Sequence, residues 1–164
     1  MGLLVVGLGN TLLKDEGVGV RVVNSLRSRP LPEDVTLMDG ATMGVDLLYD
    51  ILDSDGVVIV DSAQMDLPAG EYRTFGISEI EAGAHFPNYS LHDLTFAETI
   101  ALGGIIADLP PITIVGIQPK SIEQGDELTG TLNENFHKYV DQVYSTILSF
   151  GKEEDIEQES TDNR

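Results

Sequence analysis

Two rhythms of apolar residues alternate along this chain. Leu3-Leu4-Val5-Val6 and Val57-Val58-Ile59-Val60 are short, unbroken apolar runs, the form taken by parallel strands covered on both faces. Between them Val18, Val22 and Leu26 recur at helical spacing and Val23 widens the stripe, which predicts an amphipathic helix over 16–27, ended by Arg29-Pro30-Leu31-Pro32. Val35 to Asp39 reads as a second strand that leaves through Gly40. Residues 42–53 carry Met43, Leu47, Leu48, Ile51 and Leu52 on one broad face, a second helix with Thr42 as its N-cap.

Beyond Pro68-Ala69-Gly70, Glu71-Tyr72-Arg73-Thr74-Phe75 alternates apolar and polar. The short connection from Val60 leaves no room for a crossover helix, so this segment is expected to be an antiparallel edge strand. Residues 78–91 are irregular. A helix capped by Asp93 or Thr95 is expected to run through Phe96 and Ile100 to Gly103-Gly104. Ile112 to Ile117 reads as a buried strand, and a Gly-rich loop over 118–130 leads to a last helix marked by Phe136, Val140, Val143 and Ile147. From residue 151 the only apolar side chain is Ile156, so 151–164 reads as an acidic, disordered tail beside a domain spanning 1–150. The whole is α/β: a single-domain, three-layer α/β/α sandwich around a mostly parallel twisted sheet with one antiparallel edge strand.

Charge and composition narrow the partners. A formal charge of −19 from 28 acids against 9 bases repels phosphate backbones and anionic membranes, which argues against both as partners. The chain has no cysteine, which removes disulfides, thiolate metal sites and a cysteine nucleophile. No apolar run approaches the roughly 20 residues needed to span a bilayer. Met1 to Gly7 reads as a first strand rather than an export signal, so a cytoplasmic location is expected; the chain is also expected to be a monomer.

The chemistry gathers where the first strand empties into Gly7-Leu8-Gly9-Asn10-Thr11-Leu12-Leu13-Lys14-Asp15-Glu16-Gly17. Gly7-x-Gly9 is part of a dinucleotide fingerprint, and Asp39 stands where a ribose-binding acid would be. The third glycine position is Leu12, however, and Asp15 and Glu16 bring negative charge to the helix start that would receive a pyrophosphate. The other reading joins Glu16 to Asp61, at the end of the third strand, and to His92 before the later helix. Two carboxylates and an imidazole suit a borderline divalent metal and leave positions open for substrate or water. Each has a plainer reading. Glu16 would serve as a first-turn acid, and Asp61 or Asp39 as a local cap. His85 lies in the same irregular stretch and would substitute for His92, while His137 falls in the last helix.

The chain resembles the hydrogenase maturation endopeptidases. The resemblance runs from about residue 3 to about residue 132. It rests on Val6-Gly7-Leu8-Gly9-Asn10-Thr11-Leu12 with Asp15-Glu16-Gly17-Val18-Gly19-Val20-Arg21, on Asp39-Gly40-Ala41-Thr42, on Val60-Asp61, on Ser90-Leu91-His92 and on Gly116-Ile117-Gln118-Pro119. It implies a cytoplasmic peptidase, of aspartyl type, that trims the C-terminal extension of a nickel-iron hydrogenase large-subunit precursor. It also implies that Glu16, Asp61 and His92 bind the precursor's nickel, or another divalent metal in its stead, and that Asp39 serves cleavage and specificity. Ala41 stands where the family has a second glycine. No serine lies in a nucleophile elbow, so the expected nucleophile is water, assisted by the metal and by Asp39. A non-catalytic metal-sensing or chaperone module with the same ligands is the alternative, with dinucleotide binding behind it.

Overall fold

The computed structural model describes residues 2–41, 45–76 and 108–162. The unbroken apolar runs form the centre of a five-stranded sheet. Its strands are β1 (Leu3–Leu8), β2 (Val35–Ala41), β3 (Gly56–Ser62), β4 (Tyr72–Gly76) and β5 (Ile112–Ile117), in the order β2-β1-β3-β5-β4. Every residue of β1 and β3 is buried, because helices cover both faces of these two strands. β1, β2, β3 and β5 are parallel, and β4 pairs antiparallel with β5 at the edge. The short β3–β4 connection does reverse the chain, but β4 takes its place against β5 rather than beside β3.

The side-chain alternation of the strands divides the core in two. On one face Leu3, Val5, Val58, Val60, Val115 and Ile117 pack with α1 (Val18–Leu26) and α3 (Gly130–Asp162). On the other, Leu4, Val6, Leu8, Val57, Ile59 and Ile114 pack with Leu47 and Ile51 of α2 (Val45–Leu52). These are the three layers that the alternation of strands and helices predicts. α1 lies unusually close to the sheet: a Cβ on its Gly19 would stand 2.1 Å from the Val60 carbonyl oxygen, so only glycine permits that approach.

Several boundaries differ from the sequence reading. Glu16 and Gly17, expected to open the first helix, precede it: Lys14–Gly17 forms a separate 3-10 turn, with the Glu16 amide donating to the Leu13 carbonyl at 3.1 Å, and α1 starts at Val18. β2 does not stop at Gly40. The register slips between Gly7 and Leu8, pairing them with Asp39 and Ala41, and the bulge carries the ladder on. Asp61 is the penultimate residue of β3, not a residue following it. α3 is helical to Asp162, past the boundary at 150 drawn from composition. From Lys152 on there is no glycine or proline, and Lys, Glu and Gln are good helix formers. Thr42, the helix proposed from Asp93 or Thr95, and both His85 and His92 lie outside the described residues. Among the described residues no helix is long and apolar enough to cross a membrane.

Candidate active site

β1 is followed by α1 on one face of the sheet, and the chain returns to β3 through α2 on the other. The carboxyl ends of β1 and β3 therefore diverge, and that switch point is where open α/β sheets form their crevices. Two of the sequence-predicted residues meet there. Glu16 sits in the 3-10 turn that follows β1, and this turn packs against β3, which carries Asp61.

The link between them is Gly9. It has φ of +115°, and a Cβ there would lie 1.9 Å from the Glu16 carbonyl oxygen and 3.7 Å from Asp61 Oδ1. Only a residue without a side chain fits between the turn and that carboxylate. Glu16 is 4% exposed and Asp61 not at all. Buried carboxylates are costly unless other groups or a cation compensate them. Two buried carboxylates at one edge of the sheet are oxygen donors of the kind a divalent cation takes. They also oppose a diphosphate, which weighs against the dinucleotide reading. Among the described residues no group of three or more potential ligands is found, and His92, the third expected ligand, is not among them.

Asp39 is one strand away. It pairs with Gly7, the last residue of β1 before the register slips, and is exposed. Its Oδ1 accepts the Ala41 amide at 3.0 Å, a local turn-closing bond of the plainer kind. Unlike Glu16 and Asp61 it is not buried, but it lies on the same carboxyl edge of the sheet and is open to solvent. Ala41 has φ of 41°, a left-handed conformation in which glycine is unstrained. The strain relieved by Ala41→Gly should slightly exceed the added chain entropy, so Tm should rise by about 2 °C; a fall of that size in thermal unfolding would contradict the assignment.

Two residues of this region carry roles that the sequence alone did not assign. Asp15 is fully buried, and its carboxylate is hydrogen-bonded into the loop that joins β5 to α3. Gln118 is nearly so; its Oε1 accepts the Met65 and Leu67 amides at 2.7 and 3.4 Å, and its Nε2 donates to Gln64 Oε1 at 2.8 Å. It therefore fixes the segment that leaves Asp61. The only advance signal for Gln118 was its place in the Gly116-Ile117-Gln118-Pro119 block. Nearby, Tyr139 donates to the Gly70 carbonyl at 2.7 Å; burial, with a smaller contribution from the Asp15 charge, pushes its phenol up to about 12, so it stays a donor at neutral pH. A groove between α1 and α3, lined by Arg21, Asn24, Leu128 and Phe136, includes neither Glu16 nor Asp61.

Comparison with known proteins gives the family. The family described as "HycI: Hydrogenase maturation protease" matches residues 20–150. The chain is 33% identical over 156 residues to the hydrogenase 2 maturation protease of Escherichia coli, covering 93% of this chain and 94% of that one. It is 30% identical to the hydrogenase expression/formation protein HupD of Thiocapsa roseopersicina, over 91% of this chain and 69% of the relative. In structure it is similar to the hydrogenase maturating endopeptidase HybD from E. coli, with a TM-score of 0.81 and 31% identity over 92% of this chain and 94% of HybD. These matches span nearly the whole chain, and it belongs to the hydrogenase maturation protease family as a peptidase.

Proposed function

We propose that this peptidase removes the C-terminal extension of a nickel-iron hydrogenase large-subunit precursor once nickel has been inserted, and that it acts in the cytoplasm as a monomer. The observation that carries the reading is the buried pair of Glu16 and Asp61 about Gly9, at the switch point of the sheet. The nickel belongs to the substrate. Glu16 and Asp61, with His92 as third ligand, hold it when the precursor docks. Oxygen and imidazole donors without thiolate bind nickel modestly, and other divalent metals can substitute; this suits inspection of a metal better than its storage.

The reaction is hydrolysis of one peptide bond. Bound nickel supplies Lewis-acid polarisation. Asp39, exposed on the same edge, takes a proton from water as the oxygen attacks the scissile carbonyl carbon. It returns that proton to the departing amine nitrogen as the C–N bond breaks. The direct test is incubation of nickel-loaded precursor with the purified protein, followed by intact-mass measurement. Loss of the mass of the C-terminal extension is expected. Unchanged mass with nickel still bound would favour a non-catalytic metal-sensing module instead.

A further inference from the structure

Asp15 is a buried carboxylate for which the proposed reaction has no use. Its two oxygens accept from four donors: the Lys120 and Ser121 amides to Oδ2 at 2.9 and 3.1 Å, the Thr129 amide to Oδ1 at 2.8 Å, and the Thr129 hydroxyl, shared between Oδ1 and Oδ2 at 3.0 and 2.8 Å. All of these donors lie in the loop between β5 and α3. Backbone bonds reinforce the join. The Lys14 amide donates to the Gly125 carbonyl at 2.9 Å, the Gly125 amide to Leu12 at 2.8 Å, and the Asp15 amide to Ser121 at 3.1 Å. Arg21 of α1 adds a bond to the Asp126 carbonyl.

We propose that Asp15, clasped by Lys120, Ser121 and Thr129, is a positioning residue that sets the direction in which Glu16 points. The two are consecutive in one 3-10 turn, where neighbouring side chains diverge by roughly 120°. With Asp15 fixed into the β5–α3 loop, the turn cannot rotate about its axis, and Glu16 is held in the crevice on the other side. The loop that holds Asp15 begins at Gln118, which braces the segment after Asp61. One stretch of chain thus ties down both carboxylates, so their separation is fixed before the precursor arrives. Outer groups that orient metal ligands in this way are known to affect affinity strongly.

This inference rests on the nickel reading above, and the experiment separates the two. Nickel ion alone is titrated calorimetrically into the full chain and its variants at a temperature where all are folded. Asp15→Asn keeps the shape but turns an amide nitrogen toward backbone donors, and it should weaken nickel binding about 10- to 100-fold. Thr129→Val, which removes the hydroxyl and keeps the charge, should weaken it about fivefold, and it carries the test should Asp15→Asn fail to fold. Ile147→Ala, a core truncation in α3, controls for lost stability and should stay within about twofold of the parent. Parent-like affinity in the Asp15 and Thr129 variants, or an equal loss in the Ile147 control, overturns the positioning role alone. A parent protein that does not bind nickel overturns the ligand reading and this proposal together.

Discussion

Gly9→Ala should leave a protein that is destabilised by about 3 kcal/mol or more and does not process its precursor. The new methyl group would stand 1.9 Å from the Glu16 carbonyl oxygen, a contact with backbone that no rotamer change relieves, and φ of +115° is strained for any residue with a side chain. The chain can relax only by moving the 3-10 turn away from β3, which carries Glu16 out of the crevice and away from Asp61. Stability and function therefore fall together. Gly130, where an added Cβ meets nothing within 4 Å, is the internal comparison: Gly130→Ala should change stability by less than about 1 kcal/mol and leave processing intact. Thermal unfolding and precursor cleavage, measured on both variants, check the contrast.

Asp61→Asn separates the two effects that Gly9→Ala combines. The substitution preserves volume at a fully buried position while removing a negative charge from the pair. Outer groups that merely orient metal ligands cost about 10- to 100-fold when lost, and a ligand itself should cost at least the upper end of that range in both nickel affinity and processing rate. The loss should appear well below the unfolding transition, where the variant is fully folded. Nickel binding and processing that stay within about twofold of the parent in folded Asp61→Asn would remove Asp61 from the site.

Much of the fold was written in the apolar pattern. Runs such as Val57 to Val60 and the stripe Val18, Val22, Leu26 bury by themselves, and no distant residue is needed to recognise them. What escaped were features set by pairing. The extension of β2 through Ala41 depends on a register slip against β1, and the position of β4 beside β5 depends on strand order. The 3-10 turn is held by backbone bonds from Lys14 and Asp15 to Gly125 and Ser121, in the distant β5–α3 loop. Of the expected site, Glu16 and Asp61 were legible because one lies in the loop that β1 empties into and the other at the end of a buried apolar run, and Gly9 lies against both the turn that carries Glu16 and the Asp61 carboxylate. Asp39 lies on the same edge but outside that pair. Asp15 had read as a second acid at the helix start. Its actual partners, Thr129 and the amides of Lys120 and Ser121, lie more than a hundred residues away in sequence, and nothing in the local pattern points to them. Gln118 escaped for the same reason, since what it holds is the backbone of Met65 and Leu67.

In the proposed function, two buried carboxylates at the β1–β3 switch point read the metal carried by the substrate. The most direct measurement incubates the protein in parallel with nickel-loaded and nickel-free large-subunit precursor and follows intact mass over time. The loaded precursor should lose its C-terminal extension, and the mass of the nickel-free one should stay unchanged. Equal cleavage of both would show a peptidase indifferent to the metal and would contradict the roles given to Glu16 and Asp61.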